Sequence, residues 1–197
     1  MKKALIAVML TTVVSLAVGT QVCVAGTKCS RAIAHVDAAE QRGDHAVARL
    51  LVDFAIADHV QLGCSDELYQ ELLDLRRDVY WQCIIDAFDF AQDDIEFRRD
   101  GISAIEHISH ANELAEIAGI KIRKEIDGID EFYAAAYFKA ALQENKAAAE
   151  AARNGDFELR DQLRALAKEF ISFACALDPR YKMYCRGGKK KAEEARK

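Results

Sequence analysis

A single proline, Pro179, stands in a chain of 197 residues. An ordinary soluble chain of this length contains roughly ten. Proline removes a backbone donor and clashes with the preceding helical turn, so nothing of that kind interrupts long helices before position 179. Ten alanines between positions 134 and 152 add intrinsic helix propensity. The valine-rich stretches that would suggest strands are confined to the first 25 residues. At 51% hydrophobic and 30% charged, the composition excludes collagen-like, low-complexity and disordered classes. The expected class is all-α, with antiparallel helical hairpins forming a bundle or a short solenoid.

Apolar spacing and turn residues place helices over 30–42, 45–62, 66–92, 95–118, 128–154 and 157–177. In the third, Leu68, Leu72, Leu75 and Val79 recur at three and four residues, and Ile84, Ile85 and Phe88 continue on a rotated face. Ser65 or Asp66 is its expected N-cap. The second is apolar nearly all round, through Val47, Leu50, Leu51, Phe54, Ile56 and Val60, which predicts a central position in the bundle. Tyr133, Tyr137, Phe138 and Leu142 supply the bulky contacts of the alanine-rich helix.

Lys2 and Lys3 precede an apolar run over 4–18 that ends at Gly19, the pattern of a secretory signal. Cys23 and Ala25 are the small residues a signal peptidase reads, so cleavage is expected after Ala25, with Gly19 the alternative. The run is short for a membrane span, which needs about 20 apolar residues. Gln21 and Val22 stand where a lipoprotein signal around Cys23 would have small residues. The expected organisation is a signal peptide over 1–25, a single all-helical domain over 26–186 with at most two packed subdomains, and a flexible basic tail over 187–197. Removal of the signal leaves 25 basic against 32 acidic side chains, and the body over 26–186 has 20 against 30. A body at −10 is no nucleic-acid platform, which needs a basic face.

Cys29, Cys64, Cys83, Cys175 and Cys185 follow the expected cleavage point. None is at C-x-x-C spacing, so thioredoxin-like, haem-attachment and zinc-ribbon chemistry lack their local signature. In an oxidising compartment four can pair, and an odd count leaves one thiol over, free or bonded to another chain. Helices of about 13 and 18 residues run roughly 20 Å out and 27 Å back, which returns Cys64 near Cys29 and predicts that bridge. Cys64 with Cys83 is disfavoured, since the helix between them would hold them about 28 Å apart. Cys175 with Cys185 is the second expected bridge, with Cys83 to either as its alternative.

Three turns look alike: Arg42-Gly43-Asp44-His45, Gln92-Asp93-Asp94-Ile95 and Asn154-Gly155-Asp156-Phe157, each offering an aspartate as N-cap and an apolar residue three positions on. Their spacings of 50 and 62 residues make no strict repeat, so the likeness reflects either an old duplication or only what any helical turn requires. Asn154-Gly155-Asp156-Phe157-Glu158, followed by Ala174, Leu177, Asp178 and Pro179, resembles the turn and closing segment of a tetratricopeptide repeat. The resemblance covers about 35 residues, 144–179, and the helix within it is about two turns longer than that family's. It implies stacked helical hairpins and, by analogy of fold, protein binding.

Constellations that carry chemistry are sparse. His107 and His110, three apart on a helix, could face one metal, with Glu106 or Glu113 as oxygen donors and His35 or His59 completing the set. The paired Glu-x-x-His of di-iron bundles and His-Glu-x-x-His are absent, so no metal and no cofactor is expected. Asp100, Ser103 and His107 share a helix stripe, but a helix interior has no amides to offer an oxyanion. Asp86, Asp89, Asp93, Asp94 and Glu96 lack the alternation of a calcium loop. Arg42-Gly43-Asp44 reads as a helix stop and cap, and no glycine-rich phosphate loop follows a strand. No catalytic residue is expected.

These observations point to an exported helical interaction or adaptor protein, periplasmic or secreted, with a protein partner and no stable membrane insertion. The alternative is an envelope enzyme or enzyme inhibitor using a cleft carboxylate; a third reading, a metal carrier, rests on His107 and His110. An exposed apolar or aromatic groove would favour the adaptor. A deep pocket with converging acids would favour the enzyme.

Overall fold

The computed structural model of the chain describes residues 28–185. Among them every regular element is helical. The expected signal peptide with its cleavage point, Cys23 and the basic tail lie outside the described residues. The chain divides into two compact units, one ending at Val79 and the other beginning at Tyr80.

The first unit contains α1 (Lys28–Glu40), α2 (His45–Ala57), α3 (His59–Leu62) and the start of α4 (Asp66–Asp93). Cys29, Ile33, Val36 and Ala39 fall on one face of α1 and are buried with Ala48, Val52 and Ala55 of α2 and Leu72 and Val79 of α4. α2 packs along α1. Gly43, at φ 74°, makes the turn between them in a region that costs other residues strain. The Ser65 hydroxyl accepts the Leu68 N–H at 3.3 Å, which identifies the residue that starts α4. Arg76 donates to Asp53 at 2.9 Å and ties α4 to α2.

The helix expected over 45–62 is interrupted at Asp58, and it is not central. Leu50 and Phe54 are 64% and 55% exposed, and Val60 is more exposed still. Its buried face is made of Ala48, Val52 and Ala55, residues small enough for α1 to approach closely. An apolar circumference therefore did not translate into a buried one.

The second unit contains the rest of α4, a π-helical segment (Asp94–Arg98), α5 (Gly101–Ala118), α6 (Ile122–Glu125), α7 (Ile129–Arg153), α8 (Phe157–Leu177) and a 3-10 turn (Pro179–Tyr181). Its core gathers Ile84, Phe88, Ala91 and Ile95 with Ala104, Ile108, Ala111 and Leu114 of α5 and Tyr133 and Ala136 of α7. Phe88 meets Phe132 edge-on at 5.8 Å, a favoured aromatic geometry. α5 crosses α7 so closely that a Cβ at Gly101 would overlap the Lys139 and Ala140 backbone. The Gly101 N–H donates to the Gln143 side chain at 3.1 Å. α8 then packs along α7 after the turn at Gly155. Asp156 caps it by accepting the Leu159 N–H at 3.0 Å.

The turn expected at Asp93-Asp94 is also displaced. The helix runs on through Asp93, widens to a π-helix over Asp94–Arg98, and breaks at Arg99, which adopts φ 59°. Asp100 is the residue that caps α5, accepting the Ser103 N–H at 3.1 Å. Asp44 occupies an N-cap position, but its carboxylate goes to Arg42 at 3.2 Å and not to the helix.

Candidate functional site

Leu159, Leu163, Leu166, Phe170, Phe173 and Leu177 recur along α8 at alternating four and three residues, the 3.5-residue period of a helix-pairing seam. α8 packs along α7, and Ala167 and Ala174 are its two buried residues. The bulky row beside them is only partly covered, with Leu159 42%, Leu166 38% and Phe173 52% exposed. The Tyr137 ring from α7 lies 5.2 Å from that of Phe173 and 6.1 Å from that of Phe170, extending the row sideways.

Aromatic surface continues around the C-terminal end of α8. Phe138 contacts the rings of Tyr181 and Tyr184, each at 4.7 Å, and Met183 and Tyr184 are exposed. Cys175 and Cys185 lie at disulfide distance, with Cα atoms 6.7 Å apart, and hold the segment after Pro179 against the helix. Asp178 receives the Arg180 N–H at 2.8 Å and its guanidinium at 2.6 Å, which fixes the intervening turn. Cys29 and Cys64 are likewise at disulfide distance, with Cα atoms 5.1 Å apart. Cys29 with Cys64 is the pair expected from helix length, and Cys175 with Cys185 is the second expected bridge. Cys83 lies half-buried against the core of the second unit.

A second cluster surrounds Asp94, whose carboxylate is fully buried in the π-helical segment. Oδ1 accepts from Arg98 at 3.1 Å. Oδ2 lies 3.4 Å from His107 Nε2, within ion-pair range when the imidazole is protonated, yet it has no hydrogen-bond partner among the described residues. The Phe90 ring lies 5.6 Å from that of His107. π-helical turns concentrate where a fold departs from regularity for a reason; here the turn brings a carboxylate from before the break to an imidazole beyond it.

The sequence candidates separate around this cluster. His107 is drawn to Asp94, whereas His110, three residues on, is exposed. Among the described residues no three His, Cys, Asp or Glu side chains are placed to hold a metal ion. Ser103 is engaged as part of the helix cap, its hydroxyl donating to Asp100 Oδ2 at 3.1 Å. The Ser103 backbone N–H holds the Asp100 carboxyl below its ordinary value, overcoming the opposing effect of burial. Asp100, Ser103 and His107 thus serve two different local structures and do not form a relay.

An open cleft of about 440 Å³ is lined by Asn112, Ala115, Glu116, Ile120, Lys121, Ile122, Arg123 and Tyr133, with Glu116 its one carboxylate. The Tyr133 hydroxyl donates to Asn112 at 2.9 Å, and burial pushes its pKa up. In the first unit burial raises the Glu40 carboxyl above its ordinary value, with Asp37 and Asp78 acting the same way and His45 opposing. Glu144 on α7 is buried with Oε2 lacking a hydrogen-bond partner among the described residues.

The half-covered row on α8 and the buried Asp94 were missed by sequence reasoning. The 3.5-residue period was legible from 159 to 177; the signal for Asp94, one acid among five in its segment, was not. No helix among the described residues is long and apolar enough to cross a membrane. No family model, curated protein or solved structure matches this chain.

Proposed function

We propose that the chain is an exported helical interaction protein, an adaptor of the cell envelope or the secreted fraction, in which antiparallel hairpins present α8 to a protein partner. The observation that carries this reading is the half-exposed row of Leu159, Leu166 and Phe173. Large apolar side chains aligned on one helix face are the usual anchor of helix-in-groove recognition. The resemblance of 144–179 to a tetratricopeptide hairpin agrees with that use. Export is supported by the signal-like pattern over 1–25 and by two cysteine pairs at disulfide distance, which suit an oxidising compartment.

The test is affinity capture from envelope extracts, with oxidised wild-type chain and a Leu166→Glu/Phe173→Glu variant as baits. Both substitutions fall on exposed positions, so the helical circular dichroism spectrum is expected to be unchanged. A specific partner retained by the wild type and lost by the variant supports the reading. Equal capture by both baits removes α8 from the interface. If no partner appears while the purified chain degrades or modifies an envelope polymer, the adaptor reading fails.

A further inference from the structure

We draw no further inference here: the strongest candidate, the half-exposed apolar face of α8, belongs to the surface already proposed for interaction, and nothing in the structure shows what covers it, since an antiparallel second copy pairing Leu159 with Leu177 would set Glu169 against its own counterpart beside the seam.

Discussion

Replacing both Cys29 and Cys64 by alanine removes a cross-link between residues 35 apart in sequence. Closing a loop of that length restricts the unfolded chain by about 3.8 kcal/mol at 25 °C on the chain-entropy relation. Cys29 is also fully buried beside Ile33 and Val36, so deleting its sulfur adds about 1 kcal/mol of lost packing. The expected loss is therefore about 4 to 5 kcal/mol. For a unit below 100 residues the cross-link alone corresponds to about 15–30 °C in Tm. Urea unfolding followed by far-ultraviolet circular dichroism measures it, with and without reductant. The internal comparison is the Cys175→Ala/Cys185→Ala chain, whose separation is 10 residues. The same relation assigns that shorter loop about 2.7 kcal/mol, so the two double variants should differ by at least about 1 kcal/mol. A wild-type transition unmoved by reductant, or a larger loss from the shorter loop, would refute the reasoning. Non-reducing peptide mapping that finds Cys29 as a free thiol would remove its premise.

Gly101→Ala places a Cβ where the α7 backbone already lies, and should cost more than about 3 kcal/mol, the upper end of ordinary overpacking; unchanged hydrogen-exchange protection at the start of α5 would show that the helices do not approach as described. Glu40→Gln should stabilise the chain at pH 7 by less than about 1 kcal/mol, the scale of partly exposed charges. The sign follows from linkage: a carboxyl raised in the folded state contributes stability below the unfolded value of about 4.3, and that contribution is lost as pH rises through the folded one. The advantage of Gln should accordingly vanish below about pH 4, and an advantage that persists there argues against a titrating origin. Asp94→Asn should cost about 1–3 kcal/mol in urea unfolding, because Arg98 loses its charged acceptor and a buried polar site is left poorly matched. A gain in stability would mean that Arg98 and His107 do not compensate the burial of the charge. Asp156→Ala should cost about 1 kcal/mol through loss of the α8 cap, read as increased exchange of the Leu159 amide.

Helix content and most boundaries were legible because they rest on local chemistry. The span 157–177 is flanked by Asn154-Gly155-Asp156 and by Asp178-Pro179, and α8 occupies it. Asp156 caps because its side chain needs only an amide three residues away. Asp94, with Phe97 three residues on, offered the expected cap pattern, whereas Asp100 is followed at that spacing by the polar Ser103. The choice fell to Asp100 because Gly101, the next residue, is the one that can sit against the α7 backbone.

The arrangement of side chains within the helices was decided at longer range. A period of 3.6 residues identifies an apolar face, but the depth of its burial depends on how closely a neighbouring helix approaches. In α2 the buried face is Ala48, Val52 and Ala55 and in α8 it is Ala167 and Ala174, so Leu50, Phe54, Leu166 and Phe173 remain partly in water despite their hydrophobicity. Asp94 shows the converse: an acid in an acidic segment is expected on the surface, yet it is buried once the π-helical turn brings Arg98 and His107 to its two oxygens. The sequence by itself determined that this chain forms helices, where most of them start and stop, and which cysteines helix length brings together, because backbone hydrogen bonding and chain reach depend on near neighbours. Only the tertiary structure decided which apolar row stays exposed and which carboxylate is enclosed, because the first depends on how closely neighbouring helices approach and the second on where the π-helical turn sets Asp94 against His107.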